Sequence, residues 1–248
     1  MTLERKPDDH SAGAGKPGAD LPATERAIMG GVGAVLIGGA LRGSPLRKLV
    51  LGTVGAGLAY MSATGRNPLA TALKIAGACR MNIVISGGTS SGKTELARRL
   101  LWMVEEWHRL VLIEDSAELL PAHENVVSLI AERAETSARS ADKLLEMTLR
   151  LRPDRIILGE LRGVEAVTFL EAINTGHEGS FTTLHATTAR KAVNRLAFLV
   201  MRAGMPLTLT EIRDYVLNSI DVIVQTGRIG NERGILETYF PALDRESG

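Results

Sequence analysis

Eight residues constrain this chain more than any other stretch: Gly87-Gly88-Thr89-Ser90-Ser91-Gly92-Lys93-Thr94, entered from the short apolar run Met81–Ser86. The pattern G-x-x-x-x-G-K-[ST] has a defined physical meaning when a strand leads in and a helix leads out. Small residues let successive backbone N–H groups wrap a phosphate chain, and a helix beginning near Lys93 turns its positive end toward it. In that reading Gly87, Gly88, Thr89, Ser90, Ser91 and Gly92 cradle phosphates. Lys93 reaches the β- and γ-phosphates, and the Thr94 hydroxyl ligates Mg²⁺. The implied ligand is ATP with Mg²⁺; the competing reading, a structural glycine turn, leaves Lys93 and Thr94 unexplained.

From about residue 69 the pattern alternates strand and helix, which predicts an α/β fold with a mostly parallel sheet and helices on its faces. Predicted strands are Met81–Ser86, Leu110–Ile113, Asn125–Ile130 (a candidate edge strand), Arg155–Leu158 and Ser180–Leu184. A last strand pair, Asp221–Thr226 and Ile235–Phe240, is joined by a polar loop, Gly227–Gly234. Predicted helices are Lys93–Trp107, Ala141–Leu151, Val164–Thr175, Ala189–Arg202 and Thr208–Leu217. With 45% hydrophobic but only 4% aromatic residues, the core must be aliphatic.

In open α/β sheets ligands sit at the carboxyl ends of the strands, so acids placed there are candidates for chemistry. Leu110–Ile113 runs into Glu114-Asp115, with Glu118 three residues on, and Arg155–Leu158 runs into Gly159-Glu160. Glu160 is the candidate to orient or deprotonate an attacking water, with Glu114 second in line. Asp115 or Glu114 is a candidate Mg²⁺ ligand, direct or through water. His185 closes the strand Ser180–Leu184 on the same side, either as a sensor of the γ-phosphate or as a hydrogen-bonded loop histidine; His177 precedes that strand, toward the opposite edge. The two histidines do not make a zinc pattern. Arg150, Arg152 and Arg155 flank Pro153-Asp154 and either stabilise transferring charge or form a solvated helix end.

Taken in order, NIVISGGTSSGKT, LIEDSAEL, LRLRPDRIILGELRG and NTGHEGSFTTLHA resemble the secretion-ATPase superfamily, and within it the type IV secretion and conjugal-transfer ATPases of the TrbB kind. The likeness runs from about Ala72 to Phe240. It implies that Gly87–Thr94 is the Walker A loop, that Glu114, Asp115 and Glu118 form an Asp box, that Arg155–Glu160 is Walker B with Glu160 as catalytic acid, and that His177–His185 is a His box. It further implies a RecA-like fold, a homo-oligomer in the form of a hexameric ring, and ATP-driven work on inner-membrane components of a translocation complex. Members of that family carry a separate N-terminal domain before the loop. In this chain the residues ahead of the likeness read differently.

Residues 1–26 are rich in Gly, Ala, Pro and charge and are expected to form a disordered tail. Residues 27–68 are expected to form a helical hairpin. Ala27–Leu41 and Leu49–Gly65 carry no charge, and a turn at Gly43-Ser44-Pro45, flanked by Arg42, Arg47 and Lys48, divides them. Small residues recur at four-residue spacing (Gly30, Ala34, Gly38; Gly52, Ala56; Gly55, Ala59), as in helices that pack closely in a membrane. The nine glycines of residues 27–63 burden a soluble helix at about 1 kcal/mol each relative to Ala. A membrane segment over 27–65 is therefore expected, with residues 69–248 as an ATPase domain on the cytoplasmic face of a bacterial inner membrane. Residues 27–70 also resemble a family of small two-helix inner-membrane proteins, through Thr64-Gly65-Arg66-Asn67-Pro68-Leu69.

The balance of 29 basic against 28 acidic residues gives no global field for polyanions, and direct sequence-specific nucleic-acid binding is not expected. One cysteine, Cys79, excludes an internal disulfide. The leading expectation is an ATP-hydrolysing motor subunit for protein or DNA–protein export. The alternative is a module that binds ATP with little hydrolysis. A small-molecule kinase is disfavoured by the absence of an arginine-rich lid insertion.

Overall fold

In the computed structural model residues 80–134, 136–229 and 232–244 are described. The expected tail 1–26, the hairpin 27–68 and the first residues of the expected ATPase domain lie outside them. Among the described residues no helix is long and apolar enough to cross a membrane.

Seven strands form one sheet: β1 (Ile83–Gly87), β2 (Leu110–Glu114), β3 (Val126–Ile130), β4 (Arg155–Leu158), β5 (Phe181–Leu184), β6 (Val222–Ile229) and β7 (Glu232–Tyr239). Their order is β3-β2-β4-β5-β1-β6-β7. Every pairing is parallel except β6 with β7. The expected α/β class and mostly parallel sheet are thus present. β1, β2, β4 and β5 are buried along their length, as strands covered on both faces must be, whereas β3 is half-exposed because it lies at the sheet's edge.

The helices are α1 (Lys93–Leu101), α2 (Ala141–Thr148), α3 (Glu165–Asn174), α4 (Ala189–Arg202), α5 (Leu209–Ser219) and the single turn α6 (Pro241–Asp244). α1 packs on β1 and β5. The main apolar cluster joins Val84, Ile156, Leu158 and Leu184 to Leu145, Phe169, Leu196 and Val216 of α2–α5. The alternating strand residues Ile85, Leu112 and Ile157 are equally buried and face the other way. Few aromatics are needed because aliphatic side chains fill both layers.

Two expected boundaries are corrected. Helix α1 stops at Leu101, not Trp107, and Trp102 and Trp107 beyond it are 72% and 77% exposed. Within Gly227–Gly234, residues 227–229 and 232–234 are ladder rather than loop, with Gly227 paired to Gly234 and Arg228 to Arg233. Polar composition there reflects a hairpin projecting beyond the core, where cross-strand hydrogen bonding holds the strands without burial.

Candidate active site

β1 ends at Gly87 in the middle of the sheet, and the chain must turn there without filling the turn. A Cβ on Gly87 would stand 2.3 Å from Ser91 Oγ and from Thr226 Oγ1, and 2.9 Å from the Thr226 carbonyl oxygen. Glycine is therefore required by close approach. Those two hydroxyls lie 2.8 Å apart, and Thr226 Oγ1 donates to the Ser86 carbonyl at 3.1 Å, so β6 fixes the root of the loop. Ser90 and Gly92 adopt left-handed backbone, φ 56° and 98°. Ser90 holds this sparsely populated conformation within the loop, the kind of position where strain accompanies function.

Gly92 caps α1 without any side-chain hydrogen bond, whereas Ser140, Thr188 and Thr208 cap α2, α4 and α5 with their hydroxyls. The first amides of α1, at the helix's positive end, therefore have no side-chain cap. Lys93 Nζ donates to the carbonyls of Gly87 and Gly88 at 3.0 and 2.9 Å, which stations the ammonium over the loop. Burial lowers its pKa from the ordinary lysine value, and the nearby Glu160 carboxylate opposes that shift. A Cβ at Gly88 would meet nothing within 4 Å, so the loop's outer side is open. Thr94 Oγ1 donates to Glu118 Oε2 at 3.3 Å.

The acid candidates divide by role. Glu160 follows Gly159, whose N–H bonds the Ile113 carbonyl at 2.8 Å and whose carbonyl accepts from Thr183 Oγ1 at 2.7 Å. Neighbouring strands thus clamp the backbone that presents Glu160. A Cβ at Gly159 would crowd Glu114 Cγ and the Ile113 carbonyl at 3.3 Å. Both oxygens of Glu160 are engaged: Oε2 accepts from Arg162 at 2.5 Å, and Oε1 lies 3.2 Å from His185 Nε2. Arg162 also pairs with Asp115, which accepts from Arg133 Nε at 3.2 Å. Glu114 is buried, and its Oε1 accepts from the amides of Glu118 and Leu119, both at 3.1 Å. Burial raises its pKa while those amides pull it down. Its carboxylate holds the loop that carries Glu118 toward Thr94.

A cavity of about 180 Å³ beside these acids is lined by Asp115, Glu160, Arg162, Arg133, Ser140 and Glu165 among others, and takes in no residue of Gly87–Thr94. Among the described residues no three His, Cys, Asp or Glu side chains cluster to hold a metal by themselves. Any Mg²⁺ here would need phosphate oxygens alongside Thr94 and a carboxylate.

His185 follows β5 at its carboxyl end, as expected, and the structure sets it against Glu160, a contact the sequence did not indicate. His177 stands ahead of β5, as expected, and away from Glu160: its Nδ1 lies 3.1 Å from the Ala172 carbonyl. Arg155 is 1% exposed and bonds His108 Nδ1, the Gly179 carbonyl and Glu105 Oε2, each at 3.1 Å. Burial and the Arg155 charge lower the His108 pKa, in keeping with a neutral ring that accepts this hydrogen bond. Arg155 is therefore a buried anchor at the amino end of β4, away from the loop, and the phosphate option for it is withdrawn. Arg150 and Arg152 are exposed near that same end. Sequence reading missed Arg162 and Thr226. Arg162 stands two residues past Glu160, which is a local signal; Thr226 lies on β6 and gives none.

The family model for "Type II/IV secretion system protein" matches residues 51–227, beginning inside the second uncharged run. The chain belongs to the type II/IV secretion system protein family. It is 44% identical over 171 residues to the conjugal transfer protein TrbB of Rhizobium radiobacter, covering 68% of this chain and 50% of that one. It is 39% identical over 166 residues to the type IV secretion system protein VirB11 of Bartonella quintana, covering 65% and 47%. The chain thus spans about half the length of the curated relatives it matches. The solved VirB11 ATPase of the Brucella suis type IV secretion system, in complex with sulphate, superposes with TM-score 0.68 at 31% identity, covering 82% of this chain and 59% of that one. The pilus retraction motor PilT with bound ADP superposes at 0.54 and 27% identity, covering 67% and 50%.

Proposed function

We propose that this chain binds ATP with Mg²⁺ at Gly87–Thr94 and hydrolyses it, as a motor subunit of a bacterial type IV secretion or conjugal-transfer apparatus. One observation carries the chemistry: Lys93, Glu160 and His185 converge at the carboxyl edge of the sheet beside an uncapped helix N-terminus. The loop amides and Lys93 hold the β- and γ-phosphates. Glu160 accepts a proton from a water attacking the γ-phosphorus; the bond to the β–γ bridging oxygen breaks, and ADP and phosphate leave. His185 steadies Glu160 through Oε1. Mg²⁺, held by Thr94 with Glu118 or Asp115, would neutralise phosphate charge. Glu114 fits a positioning role better than a catalytic one, since backbone amides occupy its carboxylate.

A second reading, ATP binding with little hydrolysis, draws on the double engagement of Glu160 by Arg162 and His185. Relatives named for conjugal transfer and type IV secretion support the motor reading, and hexameric assembly with inner-membrane components follows from it. Attachment through residues 27–65 rests on the sequence pattern alone. Titration of a fluorescent ATP analogue against the full chain tests the loop. Lys93→Ala is expected to abolish tight binding, and unchanged affinity would reject Gly87–Thr94 as the nucleotide site.

A further inference from the structure

The β6–β7 hairpin does something the core does not require. β1 stops at Gly87, paired with Thr226, but β6 continues through Gly227, Arg228 and Ile229, and β7 returns along it from Glu232. At about 3.4 Å per residue, the hairpin overhangs the end of β1 by roughly 10 Å. This overhang stands beside the phosphate loop, on the flank opposite Glu160 and His185. The sheet order places β5, β4 and β2 on one side of β1 and β6–β7 on the other.

Arg233 lies over the loop itself. Its Cβ, Cδ and Cγ stand 3.4, 3.5 and 3.9 Å from where a Cβ of Gly92 would be. Its stem thus covers the last glycine before Lys93. Arg228 is directly opposite Arg233 in the antiparallel ladder, so both side chains rise from the same face. Like charges directly opposite one another are unfavourable. Among the described residues neither arginine has a hydrogen bond or ion pair. An anion between the hairpin and the loop would remove that cost.

We infer that Arg233 is a nucleotide-binding residue that pairs with the α-phosphate of the bound nucleotide. This rests on the reading of Gly87–Thr94 as the nucleotide site. If the γ-phosphate lies toward Glu160, where the attacking water must be deprotonated, the nucleotide's other end runs toward β6–β7. Arg233 then meets a phosphate that ATP and ADP share, and a guanidinium suits it because its planar fork pairs with two phosphate oxygens.

The test is calorimetric titration of the full chain with ADP and with a non-hydrolysable ATP analogue, comparing wild type with Arg233→Met and Arg233→Lys. Methionine keeps an apolar stem over Gly92 and removes the charge, so thermal unfolding without nucleotide is expected to stay at the wild-type midpoint. Arg233→Met is expected to weaken both ligands about tenfold, the scale of one charge-assisted hydrogen bond. Arg233→Lys is expected to recover part of that loss. Unchanged affinity for both ligands overturns the inference alone. So does a loss confined to the ATP analogue, because it places the guanidinium at the γ-phosphate. A wild-type chain that binds neither ligand overturns the reading of the loop and this inference with it.

Discussion

Glu160 sits at the centre of the site, and its two neighbours define what each substitution should do. His185 touches only Oε1, at 3.2 Å, and is itself half-exposed. His185→Ala should therefore leave ATP affinity at the wild-type level while slowing turnover, with a milder defect than loss of Lys93. Steady-state phosphate release measured beside binding checks this, and a fully active variant would return His185 to the role of an ordinary loop histidine. Arg155 makes the contrasting case. It is buried and tied to Glu105, His108 and the Gly179 carbonyl. Removing one partner of a buried pair leaves the other uncompensated, so Arg155→Ala should cost about 3 kcal/mol of stability. Glu105 remains 28% exposed, which holds the cost to about 3 rather than about 5 kcal/mol. Denaturant unfolding reads the loss directly; a stability unchanged within about 0.5 kcal/mol would show that the charge network is not an anchor.

The phosphate loop, as an element, depends on glycine at one end far more than one residue later. Gly87→Ala drives a Cβ into Ser91, Thr226 and backbone, whereas Gly88→Ala meets open space. Thermal unfolding without nucleotide should show Gly87→Ala destabilised by roughly 1–3 kcal/mol, as overpacking costs, and Gly88→Ala close to wild type. Equal midpoints would contradict the packing described at the loop's root. This loop was legible in sequence because its chemistry is local: a strand, eight residues and a helix. So were the acids, since parallel strands put residues such as Glu160 on one edge. Helix α4 was legible to the residue, its start fixed by the Thr188 hydroxyl at Lys191 N. The sequence was silent wherever partners come from afar. Thr226 meets Ser91 across 135 residues, and Arg155 reaches Glu105 across 50, so no window of pattern reveals either. The hairpin at Gly227–Gly234 misled because polar residues in a projecting ladder look like loop, although hydrogen bonding rather than burial holds them.

For the molecule as a whole, the parallel sheet brings Glu160 and His185 to the carboxyl ends of its strands beside the loop that carries Lys93, and the proposed function makes that edge an ATPase site. The full chain is expected to assemble with nucleotide; light scattering that shows a monomer with and without a non-hydrolysable ATP analogue would count against a ring. The central claim, however, is hydrolysis with Glu160 as the base. The direct measurement is steady-state release of ADP and phosphate from Mg²⁺–ATP by the full chain and by Glu160→Gln, with nucleotide binding measured on the same preparations. Wild type should release ADP and phosphate in equal amounts with no phosphorylated acceptor. Glu160→Gln should bind ATP as well as wild type yet turn over about 10²–10⁴-fold more slowly. A variant turning over within about a factor of two of wild type, or a wild type that binds ATP without releasing phosphate, would contradict the account.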